Sequence, residues 1–310
     1  MRDGAMKSDE FIIPEQVLIE TVNGFCTADC IMCSKRRWTR TPHHMNDETY
    51  IGILNNLKPY TRQIKMLSLF GCGEPLLDKK LVERVALAKE KGFQGIGIAT
   101  NCTELDAKKA RGLIRVGLNT IICSLDGYYA ETHEKIRRGT VFSEVAENIK
   151  NFIQIRDAVN GKHTKVVIRF IRQEINREEW CLFKKYWSQR ISPEYGDKVI
   201  KFDVHNWGGK VEDYHLKDPN REIKLNNYVC PDLSKKLLLR SKGEISFCDT
   251  DDNVFFKLGN ACIEDPVAIY NRGKFVQYRK AMAEGKIAQL EYCKACSLPR
   301  SLLLKREECE

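Results

Sequence analysis

Short apolar runs alternate along this chain with longer stretches in which apolar residues return every three or four positions. The runs are rich in β-branched residues and predict strands at about 16–22, 64–70, 95–100, 119–124, 165–171 and 199–204. Between them the spacing is helical. Asn46 suits an N-cap with Asp47 and Glu48 in the first turn; Leu81, Val85 and Ala88 stripe a second helix that stops at Gly92; Phe142, Val145, Ile149 and Phe152 stripe another. Six β/α units in succession require parallel strands with right-handed crossovers. The expected fold is therefore α/β, either a doubly wound sheet or a partial (β/α)6 TIM-like barrel, with ligands at the C-terminal ends of the strands.

Past residue 205 the pattern changes. A polar stretch leads to a hairpin, KLLLRSKGEISFC, turning at Lys242-Gly243, and then to a helix near 267–284. One hairpin and a helix or two make a thin core, and small cores commonly need a metal staple. The expected organisation is an N-terminal extension (1–13), a core (14–210), a linker (211–228) and a small C-terminal unit (229–310).

Composition narrows the class. A chain of 310 residues suggests about two domains, and no apolar run is long enough to span a membrane. The N-terminus lacks an apolar signal-peptide core, so a cytoplasmic location is expected. Lys and Arg number 51 against 42 Asp and Glu. The charges are interleaved on helical stretches, as on solvated faces, and no nucleic-acid-binding signature accompanies them.

Thirteen cysteines carry the chemistry. Cys26, Cys30 and Cys33 form C-x3-C-x2-C; Cys293 and Cys296 form C-x2-C, preceded by Cys230 and Cys248. In a chain with ample core, thiols at such spacing point to metal binding or catalysis rather than to disulfides. Three thiolates on one short loop leave a tetrahedral or cuboidal centre one ligand short, unless His43 or His44 closes it as structural zinc. The four C-terminal cysteines suit either an iron-sulfur cluster or zinc. Cys72, Cys102, Cys123 and Cys181 read as packing residues, and Cys262 and Cys309 as spare thiols. The first cysteine loop follows strand one, Gly71-Cys72-Gly73-Glu74-Pro75 follows strand two, Thr100-Asn101 ends strand three, and Ser124 with Asp126 ends strand four. One rim collects them.

The cysteine loop and the G-C-G-E-P segment together resemble the radical S-adenosylmethionine (SAM) superfamily, over residues 14 to about 206. The resemblance implies a [4Fe-4S] cluster on Cys26, Cys30 and Cys33 whose open iron chelates SAM, and reductive cleavage of SAM to methionine and a 5'-deoxyadenosyl radical. It implies SAM contacts from Gly73, Glu74, Ser124 and Arg137, with Asn101 in the same pocket. A glycine allows close backbone approach and a carboxylate suits an ammonium, in agreement. The C-terminal part, C-x12-G-x4-C followed by Cys293-x2-Cys296, resembles the auxiliary-cluster extension called SPASM in its full form and twitch in its short form. The full form needs further cysteines where Leu302 and Arg306 stand. The four-cysteine pattern resembles the twitch arrangement of a radical SAM dehydrogenase that oxidises an amino-cyclitol (2-deoxy-scyllo-inosamine), and implies a second [4Fe-4S] cluster on Cys230, Cys248, Cys293 and Cys296.

By that resemblance the protein is a radical SAM oxidoreductase acting on a small polyol, sugar or cyclitol, reduced by a donor such as flavodoxin or ferredoxin. His205, Arg169 and Arg172 are the candidate polar groups for the substrate, with strand alternation placing at most one of the two arginines toward the interior. The segment from Lys35 to Arg40 reads as a solvated edge. Competing readings are modification of a ribosomally made peptide, disfavoured by the lack of room for a leader-binding domain before residue 14, and redox-neutral sugar epimerisation or dehydration. A bare electron carrier or zinc protein fits the SAM-pocket residues poorly.

Overall fold

A computed structural model describes residues 11–209, 211 and 229–297. The six apolar runs form β1 (Gln16–Ile19), β2 (Met66–Ser68), β3 (Ile96–Thr100), β4 (Thr120–Ser124), β5 (Lys165–Arg172) and β6 (Lys198–Asp203). They are joined by α1 (Asp47–Leu57), α2 (Leu81–Glu90), α3 (Ala107–Arg115), α4 (Ala130–Ile136), α5 (Phe142–Ala158) and α6 (Trp180–Ser188). Val17, Ile19, Leu67, Ile96, Ile121, Val166 and Ile168 are fully buried along the strands, because a parallel sheet is covered wherever its crossover helices pack. Asn46 caps α1 as its sequence predicts, accepting from the Thr49 amide at 2.7 Å.

The predicted hairpin is present as β7 (Lys236–Leu239) and β8 (Ile245–Ser246), with Gly243 at a φ of 84°. It does not stand apart from the core. β7 pairs in parallel with β1, Gln16 opposite Lys236, and the whole sheet runs β6-β5-β4-β3-β2-β1-β7-β8. All neighbours are parallel except β7 and β8. The result is an α/β partial barrel.

Two local expectations fail. The single helix expected near 267–284 is two, α8 (Pro266–Tyr270) and α9 (Gly273–Ala283). The break is at Asn271, whose side-chain amide exchanges two 2.7 Å hydrogen bonds with the Ile12 backbone, and at Gly273, with a φ of 55°. Cys181 is exposed rather than packed, because Trp180, Phe183 and Trp187 already fill the inner face of α6. Cys102 and Cys123 are buried as expected. Most of the expected linker, together with Leu302, Arg306 and Cys309, lies outside the described residues. Among the described residues no helix is long and apolar enough to cross a membrane.

A buried charge network sits at the C-terminal end of β1. Glu20, 1% exposed, accepts from both terminal nitrogens of Arg40 at 2.7 Å, from Arg240 at 3.2 Å, from Ser241 Oγ at 2.9 Å and from the Cys72 amide at 3.2 Å. Arg40 therefore departs from the solvated edge expected of the whole segment from Lys35 to Arg40. Burial by itself pushes the Glu20 carboxyl up; the Arg40 hydrogen bonds and the Arg240 charge outweigh it and hold it down at about 2. Glu20→Gln should cost about 3–5 kcal/mol in urea unfolding, because it strands two guanidinium groups. A carboxyl held below its ordinary value of 4.5 stabilises the fold fully above that pH and loses the contribution as pH falls toward 2. The acid loss of stability should accordingly be shallower in the variant, and equal slopes would count against this role.

Candidate active site

A cavity of about 540 Å³ opens at the C-terminal ends of the strands, in the size range of small-molecule sites. Cys26, Cys30 and Cys33 line it, on the loop that follows β1. Gly24, at a φ of 77°, turns the chain into this loop, and two backbone bonds lace the loop to the G-C-G-E-P segment: Gly24 N to Cys72 O at 2.6 Å and Glu74 N to Phe25 O at 2.8 Å. On the other side Cys30 is paired with Arg137 in a two-residue bridge, Asp29–Cys30 against Arg137–Arg138. Burial pushes all three thiols up, Cys33 to about 12.

The other expected pocket residues converge on the same loop. Asn101 Nδ2 lies 3.7 Å from Cys26 Sγ and donates to Thr27 Oγ1 at 2.9 Å; Arg137 Nη1 lies 3.7 Å from Cys30 Sγ. Arg137 is also paired with buried Asp126 at 2.7 Å. Burial opposes its charge, but Asp126 and the Cys30 thiol raise its pKa. Its Nε is buried without a hydrogen-bond partner, so the guanidinium keeps a donor in reserve at the thiol loop. Glu74 is 3% exposed and accepts from Thr100 Oγ1, Asn101 N and Leu76 N, which ties the second strand's loop to the end of the third. Ser124 Oγ accepts from Arg169 Nη2 at 2.7 Å.

Arg169 and Arg172 both line the cavity, contrary to the alternation argument. Arg169 follows the strand's inward face. Arg172 is the last residue of β5, where pleating no longer dictates direction, and Asp203 draws it in at 2.6 Å. His205 lines the cavity too; its Nδ1 accepts from Trp207 N at 3.2 Å, which leaves the proton on Nε2, and burial lowers its pKa. Cys72 is buried but not merely packed, with its Sγ 3.3 Å from Arg240.

Cys230, Cys248, Cys293 and Cys296 line a second, smaller cavity. Among the described residues no three His, Cys, Asp or Glu side chains converge as a single metal ion requires, a convergence that a cuboidal cluster, taking one thiolate per iron corner, does not need. Three thiols on an open loop beside a guanidinium, and four thiols around a separate cavity, are donor sets that fit such clusters. Sequence reasoning missed what joins the two sets. Trp207 Nε1 donates to the carbonyl of Met32, between Cys30 and Cys33, at 2.6 Å, while Asn206 bonds Ala295 O and Ser297 on either side of Cys296. Residues 205–209 therefore strap one thiol loop to the other. Only the Gly208-Gly209 pair in the sequence hints at that sharp path.

An open three-thiol loop on the rim of a partial barrel defines a class, and residues 21–169 match the model of the radical SAM superfamily. Over that stretch, just under half of its length, the chain is similar to a superfamily that uses SAM and a [4Fe-4S] cluster. It is 28% identical over 162 residues to the tungsten-containing aldehyde ferredoxin oxidoreductase cofactor-modifying protein of Pyrococcus furiosus, covering 52% of this chain and 45% of that protein. It is 30% identical over 122 residues to the Fe-coproporphyrin III synthase of Methanosarcina barkeri, 39% of this chain and 29% of that one. The chain thus spans half or less of the length of these curated relatives. Among solved structures, BtrN in complex with AdoMet and 2-DOIA aligns with a TM-score of 0.61 at 19% identity, covering 92% of this chain and 93% of that one. SuiB of Streptococcus suis bound to precursor peptide SuiA aligns at 0.67 with 14% identity, covering 93% and 70%. At these identities the structures share the fold.

Gly73 gives a direct test of the laced loops. A Cβ there would lie 2.5 Å from Val22 O and 3.0 Å from Phe25 O, both backbone atoms beside the cysteine loop. Gly73→Ala should cost about 1–3 kcal/mol and lower the iron retained after anaerobic reconstitution. Wild-type iron content and melting temperature in the variant would show that the two loops are not packed this closely.

Proposed function

We propose that the protein is a radical SAM oxidoreductase that abstracts hydrogen from a small polyol, sugar or cyclitol-like substrate and oxidises it, with an auxiliary [4Fe-4S] cluster on Cys230, Cys248, Cys293 and Cys296 as electron acceptor. One observation carries the oxidative part: Asp232 and Thr250 line both the large cavity and the four-cysteine cavity, so a single layer of side chains separates them. Cys248 Sγ lies 3.2 Å from Thr250 Oγ1 in that wall. The likeness to BtrN, a structure with AdoMet and 2-DOIA, and the limited cavity volume favour a small substrate.

Cys26, Cys30 and Cys33 would hold the cluster that binds SAM, which together would supply hydrogen-abstracting radical chemistry, and Cys230, Cys248, Cys293 and Cys296 would hold an acceptor for one electron. The chain's own side chains do the rest. Gly73 lets the backbone approach SAM closely, while Glu74, Asn101, Ser124 and Arg137 shape the pocket that holds it. Arg169 is the candidate to hold a substrate hydroxyl: burial, then the like charge of Arg137, lower its pKa to about 10, so it stays a cation near neutral pH and steadies the substrate oxygen while the hydroxyl proton leaves to solvent. His205, with its proton on Nε2, is a hydrogen-bond donor rather than a base. Arg172, held by Asp203, presents a fixed charge at the mouth. A cytoplasmic reductant such as flavodoxin or ferredoxin completes the scheme.

A second reading, modification of a ribosomally made peptide, draws support from the likeness to SuiB and from β6, the last strand at one end of the sheet, whose Phe202 lines the cavity while 47% exposed. Redox-neutral epimerisation needs no acceptor across the wall. Anaerobically reconstituted protein should hold about eight iron, two four-iron clusters, and release 5'-deoxyadenosine from SAM on reduction. Cys293→Ala with Cys296→Ala should leave about four iron and continued SAM cleavage but abolish oxidation across a panel of amino-cyclitols and sugars. Undiminished product, or about four iron with one zinc in the parent, would refute the oxidative role. Arg169→Gln should lower product formation by about 10²–10³-fold while 5'-deoxyadenosine still forms.

A further inference from the structure

Two carboxylates stand beside the C-terminal cysteines. Asp232 lies two residues after Cys230, in the short helix α7 (Pro231–Ser234, which precedes α8 in the chain), and Asp249 directly follows Cys248. Lys236, the first residue of β7, reaches both. Its Nζ donates to Asp232 Oδ1 at 2.8 Å and to Asp249 Oδ2 at 2.9 Å. Asp232 is 3% exposed, and all three residues line the large cavity. Two charge-assisted bonds hold a side chain that is otherwise a flexible four-carbon arm with about 2 kcal/mol of rotamer entropy to lose.

We propose that Lys236 is a positioning residue of the auxiliary site: its ammonium cross-links the turn carrying Cys230 to the loop carrying Cys248, fixes the separation of those two thiols, and makes the site easier to reduce. The proposal rests on the iron-sulfur reading of the four cysteines. An electron arriving there adds negative charge in a buried place, and net charge in the surroundings is one of the terms that set the potential of such a centre. The cation next to both ligand loops favours the reduced state. Removing it leaves two neighbouring carboxylates uncompensated, which both disfavours reduction and pushes the loops apart. Burial opposes the Lys236 charge, but Asp249 and Asp232 raise its pKa, so the cation persists throughout the physiological range.

The test uses the full chain with Cys26, Cys30 and Cys33 replaced by Ala, reconstituted anaerobically with ferrous iron and sulfide and followed by electron paramagnetic resonance during a redox titration. The parent should bind about four iron. Lys236→Met should lower the ratio of reduced to oxidised cluster at fixed potential at least tenfold, ~59 mV for a one-electron couple. Lys236→Arg should stay within threefold of the parent. Asp249→Asn should move the ratio the other way, because it removes a negative charge while also breaking the clamp. A purely structural role would move the Met and Asn variants in the same direction, and that result, or an unmoved Met variant, overturns the proposal. If Lys236→Met fails to load iron, the Arg and Asn variants decide it by the same signs. A parent that takes up zinc or no iron overturns the iron-sulfur reading first, before any change at Lys236, and the proposal with it.

Discussion

Glu20 carries its charge at 1% exposure, and a carboxylate so far from water survives only when donors surround it. Those donors come from three places in the chain: Arg40 beyond the first cysteine loop, the Cys72 amide ahead of Gly73, and Arg240 and Ser241 at the end of β7. The carboxylate is thus the fixed point about which the rim is assembled. Because each donor is itself costly to leave unpaired, the segments that bear the thiols, the glycine motif and the C-terminal hairpin are held in one arrangement.

The two thiol sets line neighbouring cavities. Cys26, Cys30 and Cys33 line the large cavity directly, and Cys230, Cys248, Cys293 and Cys296 stand behind the wall of Asp232 and Thr250. The segment around Trp207 ties one thiol loop to the other, and Lys236 bridges the carboxylates beside Cys230 and Cys248. Polar groups along the cavity are mostly engaged with one another, as Arg169 is with Ser124 and Arg172 with Asp203. Such engagement orients them ahead of any ligand, which is what preorganised sites require.

What was legible in the sequence was local. Strand positions followed from β-branched runs, the α1 cap from Asn46, the hairpin turn from Gly243, and the thiol loop from C-x3-C-x2-C, because each depends on residues a few positions apart. The gathering of Cys26, Gly73, Asn101 and Ser124 could be anticipated from β/α topology, which brings strand ends together, whereas Arg137 was expected only from the family resemblance. The rest was illegible for the same reason in reverse. Glu20 with Arg240, Trp207 with Met32 and Arg40 with Glu20 join residues far apart in the chain, and no periodicity marks them. Arg40 sits in a basic run that looks solvated, and Arg172 leaves its strand's alternation at the point where pleating ends.

The pairing of β1 with β7 sets a condition on how the molecule comes into being. Val17 and Ile19 are fully buried, yet one flank of their strand is supplied by Lys236–Leu239, more than two-thirds of the way along the chain. Until that late segment arrives, β1 presents an apolar, unpaired border, the kind of surface that recruits other chains. Closing so long a loop is also entropically slow. The C-terminal residues are consequently a staple for the N-terminal ones as well as a housing for thiols.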